Sequence, residues 1–138
     1  MNSLLDITFN SCPTRLKEVR HAVSRAAELA GCPKPLVQKL VLVIEEAVTN
    51  VMRHGYDGKP DGEISLRITQ AADQLHFRLR DYASPVDPAS IRPRDLSECR
   101  PGGLGINFID SVMDSWAFSK PREGSGNVLN MTKTLGQA

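Results

Sequence analysis

The chain has 138 residues, a formal net charge of +1 and 41% hydrophobic residues, enough for one ordinary core without covalent or metal staples. Acids and bases are interspersed, with no basic block to suggest nucleic acid or an anionic membrane as the main partner, and the three scattered cysteines, Cys12, Cys32 and Cys99, outline neither a disulfide framework nor a zinc site. The N-terminus lacks the basic start and apolar run of a signal peptide, and no stretch approaches the roughly 20 apolar residues of a membrane span, so a cytoplasmic protein with reduced thiols is expected.

Leu5, Ile7 and Phe9 alternate with Asp6, Thr8 and Asn10, which describes a strand with one wet face. After Pro13, apolar residues at Leu16, Val19, Val23, Ala26, Ala27 and Ala30 predict an amphipathic helix stopped by Gly31. A second helix follows Pro33 and Pro35, with Leu36 to Met52 supplying an apolar arc and Lys39, Glu46, Asn50 and Arg53 clustering on another side. The Gly-, Asp- and Pro-rich stretch from Tyr56 to Gly62 turns into two alternating strands, Ile64-Leu66-Ile68 and Leu75-Phe77-Leu79, that form a hairpin. Continuing the second alternation puts Asp81 on the core side, where a carboxylate needs a hydrogen-bond donor. From Tyr82 to Gly103 four prolines and little periodicity read as a lid. Gly102-Gly103-Leu104-Gly105 opens a short helix, Trp116 and Phe118 alternate in a strand, and Asn127 to Leu135 makes the last one. With no repeat or internal boundary, residues 1–138 read as a single domain of α+β class: a two-layer α/β sandwich, its sheet mixed but mostly antiparallel, its helices on one face.

The most informative run is Glu45-Glu46-Ala47-Val48-Thr49-Asn50, closing at His54-Gly55-Tyr56. At about 100° per residue, Glu46 and Asn50 lie about 40° apart on the helix while Glu45 sits about 140° from Asn50, so only Glu46 shares a site with Asn50. A carboxamide that holds a hard cation on phosphates, beside a carboxylate that takes a proton from a nucleophile, suits phosphoryl transfer, although two polar residues on a solvated face remain the bland alternative. Glycines at a helix start allow close backbone approach and offer free N–H groups to an anion, but on their own they equally describe a turn. Asp81 reads equally as a turn cap or a ligand group, Arg53 as a solvated residue or one that reaches a phosphate, and His54 as a packed or helix-ending histidine at the core edge.

Taken together in this order, these residues resemble the GHKL ATPase superfamily and, within it, the anti-sigma-factor serine kinases of the RsbW and SpoIIAB type. Glu46 to Asn50 with His54-Gly55-Tyr56 match the Asn box, Asp81 the adenine-reading acid, and Gly102-Gly103-Leu104-Gly105-Ile106 the phosphate-side glycine box. The resemblance implies that ATP and Mg²⁺ bind between helices and lid. It makes Glu46 the general base, Asn50 the metal ligand, and Arg53, Asp81, Gly103, Leu104, Gly105 and Ile106 further ATP-binding positions. It implies transfer to a serine of an anti-anti-sigma protein with a STAS domain, sequestration of a sigma factor, and a homodimer, with no direct nucleic-acid or membrane partner. Arg20 on the first helix is the candidate docking residue. Two departures stand out: Asp81-Tyr82-Ala83-Ser84-Pro85 lacks both glycines of the family's Asp-x-Gly-x-Gly, and the strand-end Gly-Thr is Gly126-Asn127, to which no ligand role is assigned. The alternative is a non-catalytic nucleotide-binding module that acts by sequestration alone.

Overall fold

In the computed structural model, which describes residues 2–85 and 104–136, each alternating segment becomes a strand and each periodic one a helix. The order is β1 (Asn2–Asn10), a 3-10 turn (Pro13–Arg15), α1 (Leu16–Leu29), α2 (Lys34–Asn50), β2 (Glu63–Ala71), β3 (Gln74–Asp81), α3 (Leu104–Val112), β4 (Ser115–Ser119) and β5 (Asn127–Thr134). The five strands lie in the order β1-β2-β3-β5-β4. Among the described residues every pairing is antiparallel, so the mixed, mostly antiparallel sheet expected from the sequence is corrected to one that is antiparallel throughout. The cause is connectivity: the chain crosses from β3 to β4 at the far edge and then folds back, so that β5 fills the gap beside β3 running against both neighbours. The segment read as a lid lies outside the described residues.

Alternation assigns the two sheet faces. Ile64, Leu66, Ile68, Leu75, Phe77, Leu79, Leu129 and Met131 are buried on one side, whereas Arg67, Arg78 and Asn130 are exposed on the other. Helix α1 covers the apolar side with Val19, Val23, Ala26 and Ala27, and α2 with Val37, Leu40, Val43, Ile44, Ala47 and Val48. Burying each larger aliphatic side chain contributes about 1.5–3 kcal/mol, so this shared interior dominates the stability of the sandwich. Helix α2 packs against both α1 and α3. Gly31, at φ +86°, ends α1, with its N–H donating to Glu28 and that of Cys32 to Ala27. The hairpin of α1 and α2 is therefore tight, and it fixes which side of α2 remains outside.

Candidate functional site

Helix α2 does not end cleanly at Asn50. It runs into a π-helical turn, Val51–Gly55, in which the Tyr56 N–H donates to the Val51 carbonyl at 2.9 Å. Such wide turns cost regular hydrogen bonding and recur at functional sites. The wider turn carries Arg53 and His54 to the exposed surface while Met52 stays buried. The packed reading of His54 is thereby corrected; it belongs to the helix end.

Within α2, Glu46 is exposed and Asn50 half-buried, one turn apart on a continuous helix where such residues have Cβ atoms about 5–6 Å apart. Glu45 is turned away: its Oε1 accepts from Arg20 Nη1 of α1 at 2.7 Å. The helical phase inferred from spacing is thus the observed one. Arg20, the candidate docking residue, lies on the outer face of the helical hairpin with 43% of its side chain exposed.

Asp81 ends β3 on the core side and is only 6% exposed. Its Oδ1 accepts two hydrogen bonds, from the Ala83 N–H at 2.9 Å and from Asn127 Nδ2 at 3.0 Å. The same Asn127 amide donates to the Ser84 carbonyl at 3.0 Å. Asn127 is the residue that sequence reasoning missed. It stands directly opposite Asp81 in the β3–β5 register, a pairing between positions 46 apart that no local pattern reveals. Gly126 precedes it at φ +108°, and a Cβ there would sit 2.0 Å from the Asp81 carbonyl oxygen, so only glycine admits this approach.

Tyr56 closes the other side. Its hydroxyl donates to the Glu63 carbonyl at 2.6 Å and accepts from the Tyr82 N–H at 2.8 Å, linking the end of α2 to the start of β2 and to the chain leaving β3. Burial is the main cause that raises the Tyr56 phenol above its ordinary pKa, with the nearby Asp81 and Glu63 charges adding to it and the Tyr82 N–H opposing. Arg80 stacks over the Tyr82 ring at 4.4 Å. A Cβ on Gly55 would meet the Ala83 Cβ at 3.1 Å, so the missing family glycine at position 83 faces a glycine that leaves it room.

Of the glycine-box positions, Leu104 and Gly105 begin α3 and Ile106 is half-buried against the core, whereas Gly103 lies outside the described residues. Among the described residues, no cluster of three His, Cys, Asp or Glu side chains is arranged to hold a metal, and no helix is long and apolar enough to cross a membrane.

Helix α2 thus ends at Asn50 beside a sheet whose third strand ends in the buried Asp81. Residues 9–133 match the model of the histidine kinase-like ATPase domain, and the chain belongs to that family. Among curated proteins it is 29% identical over 122 residues to the serine-protein kinase RsbW of Listeria monocytogenes serovar 1/2a, a match covering 83% of this chain and 78% of that one. It is equally 29% identical over 126 residues to the serine-protein kinase RsbW of Bacillus velezensis, covering 85% and 76%. The resemblance to RsbW-type kinases read from the motifs is thus borne out. A crystal structure of RsbU and RsbW domains from Mycobacterium tuberculosis superposes with a TM-score of 0.65 at 16% identity. That likeness concerns the fold; it covers 95% of this chain, which spans 31% of the other.

Proposed function

We propose that the 138 residues form one ATP-binding kinase unit that phosphorylates a serine on an anti-anti-sigma protein of STAS type and, in the alternate state of the switch, sequesters a sigma factor. The observation that carries this reading is the exposed Glu46 one turn from the half-buried Asn50, with Glu45 drawn off to Arg20. Glu46 accepts the proton of the acceptor serine as its oxygen attacks the γ-phosphorus; the bond to the β,γ-bridging oxygen breaks, leaving ADP and phosphoserine. Asp81 accepts from the adenine amino group, Arg53 reaches toward phosphate charge, and the backbone from Gly103 to Ile106 donates to phosphate oxygens.

The donor set suits magnesium. Asn50 offers one hard carboxamide oxygen, and a small ion that keeps its waters needs only one or two protein ligands when phosphates supply the rest. When bound, Mg²⁺ neutralises charge on the β- and γ-phosphates. The names of the curated relatives support the kinase reading.

The second reading, sequestration without transfer, draws on the chain after Asp81. Where the family has glycines, this protein has Ala83 and Pro85, and the segment is held by Tyr56 and Asn127. Incubating the protein with candidate STAS-domain partners and labelled ATP decides between the two. Label on a serine of the partner is the expected outcome; sigma-factor binding with no transfer to any cognate partner would establish the second reading instead.

A further inference from the structure

We propose that Asn127 is a positioning residue for nucleotide selection: its amide group fixes which oxygen of Asp81 meets the base. The inference rests on the reading of Asp81 as the adenine acceptor and adds a second residue to it.

Asp81 is a carboxylate in an almost closed environment, 6% exposed. A carboxylate with two equivalent oxygens and a free side-chain torsion presents either oxygen to a ligand, in a range of directions. Here the symmetry is broken. Both recorded donors, the Ala83 N–H at 2.9 Å and Asn127 Nδ2 at 3.0 Å, converge on Oδ1. Among the described residues none donates to Oδ2, which is left as the acceptor for an incoming N–H group. The Ala83 bond is local, coming from only two residues along the same chain segment. The Asn127 bond comes from the neighbouring strand, register partner of Asp81, and is held by the sheet ladder. The rigid half of the clamp is therefore Asn127.

The amide does a second task with the same nitrogen. Its other hydrogen goes to the Ser84 carbonyl at 3.0 Å, so one planar NH₂ group ties both the carboxylate and the chain three residues beyond it to β5. A hydroxyl offers a single hydrogen and cannot make both bonds at once. Gly126, whose φ of +108° and lack of a Cβ admit the Asp81 carbonyl, brings the amide within reach. The altered strand end and the loss of the glycine after Asp81 thus fit as one unit, in which side-chain ties hold the segment whose backbone is less free.

The test uses magnesium-ATP and magnesium-GTP binding by calorimetry on the full chain. Asn127→Ala should lower ATP affinity about tenfold, the loss of one charge-assisted hydrogen bond, with little change for GTP, so that discrimination narrows. Asn127→Thr should recover part of the loss. Asn127→Asp supplies a readout that a purely structural role would not move. It sets a second carboxyl against Asp81 Oδ1, and two carboxylates that close share a proton at mildly acidic pH. Its ATP affinity should be poor at pH 8 and rise toward pH 5, where the shared proton restores the hydrogen bond. Tyr56, whose phenol feels the Asp81 charge, stays neutral throughout that range, since its ordinary value of 10.0 already lies above it and burial raises it further. If Asn127→Ala fails to fold, the pH profile of Asn127→Asp decides alone. Undiminished discrimination in a folded Asn127→Ala, or a flat profile in Asn127→Asp, overturns the proposal. If Asp81→Ala abolishes discrimination while Asn127→Ala does not, only this inference falls; if neither matters, the reading of Asp81 falls with it.

Discussion

Arg20 of α1 and Glu45 of α2 form an ion pair at 2.7 Å that draws Glu45 onto the first helix and leaves the adjacent Glu46 exposed to solvent. With 43% and 28% of their side chains exposed, the partners are well hydrated, and such pairs contribute about 0–1 kcal/mol. The pair is therefore cheap to open. In the proposed docking role, a carboxylate of the acceptor protein would replace Glu45 as the group that Arg20 donates to.

Arg20→Ala should therefore change unfolding free energy by less than about 1 kcal/mol while weakening the binding of the acceptor protein. ATP affinity should stay the same, since the substitution lies on α1 and Asn50 and Asp81 keep their surroundings. Calorimetric titration with each ligand measures both. Unaltered partner binding and phosphorylation would return Arg20 to the status of a surface residue.

Asn50→Ala should abolish the magnesium dependence of nucleotide binding, because the ion loses its protein oxygen and the phosphate charge is poorly neutralised. Helix α2 should persist, since alanine has the higher helix propensity. Titrating ATP and ADP with and without magnesium provides the comparison, and a mutant with wild-type affinity in both conditions removes the metal role.

The elements were legible because their periods differ: three-to-four spacing from Leu16 to Ala30 and from Leu36 to Met52, and alternation at Leu5–Phe9, Ile64–Ile68 and Leu75–Asp81. The helical face of Glu46 was legible for the same reason, since phase within one helix is a local property. Asp81 on the core side followed from alternation, and its need for a donor followed from burial. The donor's identity did not. Asn127 reaches Asp81 only through the strand order β3-β5, and register between segments that far apart is set by the whole sheet. The π-helical turn was hidden too, because Val51 to Gly55 continues the α-helical pattern in composition, while the wider turn shows only in the backbone bonding, as where the Tyr56 N–H reaches the Val51 carbonyl.

Tyr56→Phe removes the hydroxyl that bridges the Glu63 carbonyl and the Tyr82 N–H, at an expected cost of about 1 kcal/mol at neutral pH. The pH dependence has a definite sign. The folded-state pKa is raised above its ordinary value of 10.0, chiefly by burial, so the native state holds this proton more tightly than the unfolded chain. The stabilisation is fully present below about pH 10 and is lost as pH rises through the folded value. Denaturant unfolding between pH 8 and 11 should show wild type losing stability more steeply than Tyr56→Phe at the alkaline end. Parallel curves would mean that the phenol does not carry the linkage.

Glu46→Gln should preserve fold and ATP binding yet strongly reduce transfer to the acceptor serine, because the isosteric amide cannot take the serine proton as oxygen and phosphorus approach. Loss of a general base costs about 10² to 10⁴ in rate, or roughly 3 to 5 kcal/mol of barrier. Glu45→Gln is the internal control. Its carboxylate is engaged with Arg20, so the substitution should weaken that contact and leave the chemical step nearly unchanged. Single-turnover transfer at saturating ATP and acceptor separates chemistry from binding, which matters here because the Glu45 variant can perturb docking through Arg20. An inactive Glu45→Gln beside an active Glu46→Gln would reverse the assignment of base along the helix, and equal activity in both would remove general-base catalysis from α2.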